Sequence, residues 1–330
     1  MGNPSDGFHG KTIALTIQNY WAQVTLRKSD KIRILPHPLY DQTEFSSLSS
    51  LYDVARREGY SGGIRLLMGT CKKFFEWCVR YGIALPDRKF SLSYDTNIPR
   101  QVGLAGSSAI VSSTFACLLE FYCLSETEFP KELQPQFVLD VEMQELNINA
   151  GLQDRVVQIY QGLVYMDFSK NFFDKQGHGV YEYMNARGLP NLFLAYVADP
   201  SDSGKIHNNV RKRWIAGDKV VRDAMHQFAE YTDRAKDALK KGDHKTFTSL
   251  MKMNFELRRS VYGDACLGKD NLKMIEIANK YGCAAKFPGS GGAVVGSCAV
   301  ECLGDLMQAY EDAGFVFVKI DPYVPRPRVE

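Results

Sequence analysis

The chain has 330 residues, enough for two domains or one large one, and at 45% hydrophobic and 24% charged it has the composition of an ordinary globular protein rather than a disordered one. Forty basic residues against 38 acidic ones leave a net charge of +2. That balance gives no reason to expect a nucleic acid or a membrane surface as partner. Taken from the start, Gly2-Asn3-Pro4-Ser5-Asp6-Gly7 is turn chemistry. Gly10-Lys11-Thr12 has the ending of a nucleotide P-loop, but Ser5 stands where that loop needs glycine and too little chain precedes it for a strand. Residue 6 is Asp6, where an N-myristoylation signal needs Ser or Thr. Strands are expected over 13–17, 21–26 and 32–35, read together as a meander, and His37 between Pro36 and Pro38 as a surface loop residue.

Ile64, Leu67, Met68, Cys71, Phe74, Phe75 and Cys78 recur at steps of three and four, which predicts an amphipathic helix with these residues in the core. Phe90 to Tyr94 alternates apolar and polar, as a half-buried strand does. Further on, a helical segment is expected over 137–146 and a strand over 163–168, followed by a polar, glycine-containing loop through Gly179. A second organisational unit begins near Leu189-Pro190. Its unbroken apolar run 192–198 suits a strand buried on both faces. A helical block fills 208–262, with Arg211 to Arg213 and Lys240-Lys241 on solvated faces. Strands over 284–287, 293–300 and 315–320, with a helix over 303–313, complete an α+β pattern. The eight cysteines sit in apolar surroundings, and Cys298-x-x-x-Cys302 lacks zinc-type spacing, so buried reduced thiols and a cytoplasmic setting are expected.

Three stretches carry the chemistry. In the first, the strand ending at Tyr94 runs through Asp95 to Ala105 into a helix that starts near Gly106-Ser107-Ser108. Gly103 and Gly106 allow unusual backbone conformations and close approach of an anion, and serine at the helix start serves as a cap. The free N–H groups and dipole of a helix N-terminus favour phosphate. The second stretch pairs Glu142 with Asp154. Near a phosphate loop, one carboxylate can hold Mg²⁺ together with a serine hydroxyl, and the other can take or orient a hydroxyl proton. The third, Lys286 to Ala293, carries three glycines between two strands, the signature of a sharp backbone crossing or of a hairpin tip.

Pro99-x-x-x-Gly103-Leu104-x-x-Ser107-Ser108, with the carboxylates and the glycine stretch in that order, resembles the galactokinase, homoserine kinase, mevalonate kinase and phosphomevalonate kinase (GHMP) superfamily. The resemblance implies a two-domain α+β fold: an N-terminal ribosomal-protein-S5-like domain 2 over 1–187 that binds ATP, and a C-terminal ferredoxin-like domain over 188–330. It implies that Pro99, Gly103, Leu104, Ala105, Gly106, Ser107, Ser108 and Ala109, with Gly289, Ser290, Gly291 and Gly292, bind the nucleotide. It further implies that Ser107 and Glu142 bind Mg²⁺, with Ser108 the alternative hydroxyl, and that Asp154 is the catalytic carboxylate, twelve positions after the glutamate.

The wording of 2–6, 93–101, 150–155, 199–205 and 286–293 is similar to the plant-type glucuronokinase family over nearly the whole chain. That narrower resemblance implies transfer of the ATP γ-phosphoryl group to the anomeric hydroxyl of D-glucuronate, feeding UDP-glucuronate synthesis. Another small-molecule kinase of the superfamily and a non-catalytic sugar or nucleotide sensor are the competing readings. Asp6 matches the position that holds sugar hydroxyls in such kinases. A uronate also calls for a cation, for which Arg100, Arg155 and Lys205 are the candidates. Asn19-Tyr20-Trp21 is the stretch pointed to for adenine. Relatives place a strand with an Arg ahead of the Gly-Asn-Pro-Ser-Asp turn. The chain as written is therefore expected to lack that strand, to be poorly stable and weakly active, and to have a longer natural N-terminus.

Overall fold

A computed structural model describes residues 1–58, 62–198 and 210–325. In chain order it runs β1 (Lys11–Leu15), β2 (Ala22–Lys28), β3 (Arg33–Ile34), α1 (Leu48–Glu58), α2 (Ile64–Arg80), β4 (Phe90–Thr96) and α3 (Gly106–Tyr122). Next come α4 (Gln134–Asp140), α5 (Leu152–Tyr160), β5 (Leu163–Asp167), α6 (Lys170–Gln176), β6 (Val180–Met184) and β7 (Leu192–Val197). The chain closes with α7 (Val210–Ile215), α8 (Lys219–Lys241), α9 (His244–Tyr262), α10 (Asp264–Leu267), α11 (Lys269–Lys280), β8 (Ala284–Lys286), β9 (Ala293–Ser297), α12 (Leu303–Asp312) and β10 (Phe315–Lys319). Two compact units form: the first from Met1–Asn19, Gln101–Leu104 and Tyr160–Glu330, the second from Tyr20–Arg100 and Ala105–Ile159.

The second unit is built on the sheet β2-β4-β3. Val24 lies opposite Tyr94 and Leu26 opposite Leu92, while β3 runs parallel to β4. The expected meander is corrected here. Strands β2 and β3 both pair with β4, which comes some sixty residues later, and β1 belongs to another sheet. Helices α2 and α3 pack on each other, and Phe74, Phe115, Phe129 and Phe137 are all buried between the elements of this unit. Trp77 stacks on Phe129 at 4.1 Å between ring centroids. Truncating such a phenylalanine to alanine costs about 3–5 kcal/mol. The α2 stripe is core along Leu67, Phe74 and Cys78, but Met68 and Phe75 are exposed. Each follows a buried neighbour by one residue, a turn of about 100° that carries it off the inward face.

His37 is likewise corrected from surface to buried. Its Nδ1 accepts the backbone N–H groups of Leu39 and Tyr40, its Nε2 lies 3.1 Å from Asp95 Oδ1, and its ring stacks on Tyr40. The turn just after Pro38 supplies the donors to Nδ1 and Asp95 faces Nε2, so burial leaves neither ring nitrogen unpaired.

In the first unit β1-β5-β6 form one antiparallel sheet and β10-β7-β9-β8 another. Numbered by their own order, the latter four strands lie 4-1-3-2, with helices after the first and third, which is the ferredoxin-like arrangement expected. Strand β7, central and buried along Leu192 to Ala195, accounts for the continuous apolar run. Where a polar loop was expected after β5, the structure has α6 and the edge strand β6. Helices α8 and α9 pack against each other, and Asp218 and Asp243 cap their N-termini. Arg211, Lys212, Lys240 and Lys241 are exposed, whereas Arg213 reaches Asp218 at 2.7 Å. All eight cysteines are free thiols. Only Cys78, Cys283 and Cys298 are buried, and Cys123 is exposed, so the expectation of buried thiols holds for those three alone.

Candidate active site

In the second unit the site begins where β4 gives way to α3. Ala105 is the helix N-cap residue, at φ +58°, and no side chain caps the first turn. The expected serine cap is therefore absent. Ser108, fully buried, instead donates to Ala105 O at 3.0 Å. The same carbonyl accepts Gln158 Nε2 at 3.1 Å and the Ala109 N–H at 3.1 Å. Three donors on one carbonyl hold a left-handed alanine that would otherwise be strained. The N–H end of α3 is thus left without a side-chain cap, the condition under which a helix terminus accepts an anion. Pro99 and Arg100 precede this turn, half-buried, and the Arg100 guanidinium lies 5.6 Å from the centroid of the Tyr40 ring.

Ser107 projects to a different partner, its hydroxyl donating to Glu142 Oε1 at 2.6 Å. Glu142 lies in a π-helical turn, Val141–Glu145, that extends α4. Such turns widen the helix and re-aim side chains, often at functional sites. Glu142 is 0% exposed and Arg155 4%. Arg155 Nε donates to Glu142 Oε2 at 2.7 Å, and its terminal nitrogen Nη2 reaches the same oxygen. Arg155 Nη1 donates to Gly151 O at 3.0 Å and to Asp154 Oδ2 at 3.1 Å. Asp154, in the first turn of α5, has a side chain 33% exposed and also accepts Gln153 Nε2 at 3.3 Å. One arginine therefore orients both carboxylates. One Glu142 oxygen faces a hydroxyl, and Asp154 alone of the two meets solvent. Ser107 and Glu142 are hard oxygen donors suited to a hard cation. Among the described residues no group of three or more His, Cys, Asp or Glu forms a metal site.

In the first unit, Gln101–Leu104 and the glycines 289–292 lie backbone against backbone. A Cβ on Gly103, at φ +72°, would come 2.5 Å from Gly291 O, and one on Gly292, at φ +87°, 2.9 Å from Val102 Cα. Only glycine fits both the conformation and the contact.

The N-terminal turn is pinned to one face of α9. Asn254 Oδ1 accepts the Gly2 N–H at 3.0 Å, and Asn254 Nδ2 donates to Asn3 O at 3.2 Å. One turn further, Arg258 Nη1 donates to Asn3 Oδ1 and to Gly289 O, both at 2.8 Å. Asn3 Nδ2 in turn lies 3.5 Å from Asp6 Oδ1. Lys286, 3% exposed, donates to Phe287 O. Burial, with the Arg258 charge adding, pushes its ammonium pKa down to about 7, against the opposing pull of Asp6. Burial lowers the Arg258 pKa as well.

The second unit thus holds Pro99, Arg100, Ala105 to Ala109, Glu142, Asp154 and Arg155, and the first holds Asp6, Gly103, Leu104 and 289–292. Lys205, with the whole 199–205 stretch, lies outside the described residues. Trp21, half-exposed, donates its backbone N–H to Asn97 Oδ1 at 2.6 Å. Arg155, proposed from sequence as a substrate cation, has its guanidinium engaged on Glu142, Gly151 and Asp154. Sequence reasoning passed over Arg258 and the buried state of Lys286. The available signal was the spacing of Asn254 and Arg258, four residues apart on one helix face.

This architecture is the fold of the GHMP kinases. The family model for the GHMP kinases N terminal domain matches residues 65–162. The galactokinase of Lactococcus lactis, solved with galactose, has the same fold with a TM-score of 0.72 at 14% identity, covering 98% of this chain and 90% of that one. Within the superfamily the chain belongs to the glucuronokinase family. It is 50% identical over 299 residues to probable glucuronokinase 2 of Arabidopsis thaliana, covering 90% of this chain and 81% of that protein. It is likewise 50% identical to glucuronokinase 1 of the same plant over 298 residues, 90% and 82% of the two chains.

Proposed function

We propose that the protein is an ATP-dependent sugar-1-kinase that phosphorylates the anomeric hydroxyl of D-glucuronate, giving glucuronate 1-phosphate. The observation that carries this is the 50% identity to two glucuronokinases across 90% of the chain. The uncapped N-terminus of α3 suits a phosphate of ATP, and within the first unit the glycine backbones at 103 and 289–292 suit close approach of the nucleotide. An anomeric hydroxyl is more acidic than other sugar hydroxyls, so Asp154 need only accept or orient its proton for in-line attack on the γ-phosphoryl group. Positioning and charge stabilisation supply most of the rate in such transfers. Asp6 accepts hydrogen bonds from the sugar hydroxyls. The Ser107 hydroxyl and Glu142 Oε1 fit Mg²⁺, which takes few protein ligands besides phosphate oxygens and water. When bound, that ion neutralises charge on the phosphates. Arg155 orients Glu142 and Asp154 and is a positioning residue.

The module division into 1–187 and 188–330 is proposed from the family resemblance, and a cytoplasmic compartment is proposed from the free thiols. Among the described residues no helix is long and apolar enough to cross a membrane. The test is ADP release with glucuronate, galactose, glucose and mevalonate as acceptors. Turnover is expected with glucuronate, and a preference for any of the others would overturn the assignment.

A further inference from the structure

Among the described residues, the first unit contains two buried basic side chains to which no carboxylate is hydrogen-bonded. Arg258, 5% exposed, comes from α9 and Lys286 from β8, elements that pack against each other. The carboxylate whose charge acts on both is Asp6. Arg258 Nε is buried without a hydrogen-bond partner, and the hydrogen bond of Lys286 goes to a neutral carbonyl. A buried charge left this way is costly unless an anion completes it.

We infer that Arg258 and Lys286 receive the carboxylate of the uronate substrate, a role that rests on the glucuronokinase reading. Asn3 links Arg258 to the proposed sugar-binding Asp6, since its amide accepts from Arg258 on one side and reaches Asp6 on the other. The competing anion is a nucleotide phosphate, and the geometry disfavours it. Arg258 contacts the glycine stretch through the carbonyls of Gly289 and Ser290, whereas a phosphate is held by loop N–H groups. The faces of Phe287 and Tyr262 flank the guanidinium at 4.7 and 5.2 Å, fixing its plane for a planar carboxylate. Arg155 is engaged on Glu142 and Asp154 in the other unit, which removes it as the carboxylate's partner.

The test uses the full chain with glucuronate and with glucuronamide, the uncharged amide of the same sugar. Lys286→Met keeps the length and removes a buried charge, so it should fold. Arg258→Lys keeps the charge and loses the fork. In Lys286→Met the KM for glucuronate should rise about 30-fold, the scale of one charged hydrogen bond. The KM for ATP should stay within about twofold, and the preference for acid over amide should collapse. Arg258→Lys should raise the glucuronate KM by a smaller factor in the same pattern. Unchanged acid preference in Lys286→Met, or parallel rises in both KM values, overturns the inference alone. A wild-type chain that does not turn over glucuronate overturns the function and this inference together.

Discussion

Two buried charge clusters, one in each unit, are built on opposite terms. In the second unit Glu142 and Arg155 meet as acid and base with nearly every donor and acceptor spoken for. In the first unit Arg258 and Lys286 are like charges sharing the influence of one carboxylate, with a guanidinium N–H left over. A closed pair holds geometry, and opening it leaves a stranded charge. An under-neutralised pair holds potential, and its natural complement is a ligand. Burial alone does not separate the two, because all four side chains are almost fully covered. The hydrogen-bond inventory does.

The largest expected effect comes from the carboxylate that the closed cluster presents to solvent. Asp154→Asn should lower kcat at least about 100-fold while ATP binding persists, because the amide cannot take the proton. Steady-state kinetics beside nucleotide titration measures this, and near-normal turnover would remove Asp154 from the mechanism. Next, Arg155→Met strands Glu142 and should cost about 3–5 kcal/mol of stability in denaturant melts. A loss under about 1 kcal/mol would show that the pair is not closed as described.

Ser107→Ala should slow turnover about tenfold, from loss of one hydroxyl contact, and excess Mg²⁺ should recover part of it. If a magnesium titration leaves the variant's rate flat, Ser107 serves to hold Glu142 and not the ion. The smallest effect tests the open cluster. Lys286, faced by Arg258, Asp6 and the Met1 amine, has a folded-state pKa of about 7 against 10.5 for the free side chain. Between those values the unfolded chain binds a proton that the folded one has released, so this group makes stability rise with pH across that window. Lys286→Met should therefore be more stable than wild type near pH 6.5, with the gap narrowing by pH 9.5. An equal gap at both pH values would mean that Lys286 keeps its proton throughout.

Much of the candidate site's local geometry was legible because it is written in local backbone chemistry. A strand, a glycine-bearing loop and a helix start occupy consecutive residues, and the Glu142–Asp154 spacing and the triple glycine are equally local. What was misread depends on which way a side chain turns. Ser107 and Ser108 are adjacent and chemically identical, yet one faces Glu142 and the other its own turn. Arg258 and Arg259 are also adjacent. The first is buried beneath the glycine stretch, while the second pairs with Asp264 at the surface. His37 looked exposed because its prolines promise a loop, and the donors that bury it come from the bend the chain makes there.

By itself the sequence determined the family and the α+β class, and it singled out a candidate phosphate-loop stretch and two candidate carboxylates, because each rests on residue types at short fixed spacings. The tertiary structure alone decided that β1 leaves β2 for another sheet, that Arg155 closes on Glu142, and that Arg258 and Lys286 are buried on two elements packed together. Arg155 and Glu142 are 13 residues apart, and Asn3 and Arg258 are 255 apart. The partner of a charge at such separations is fixed by strand pairing and helix packing, which no local pattern encodes.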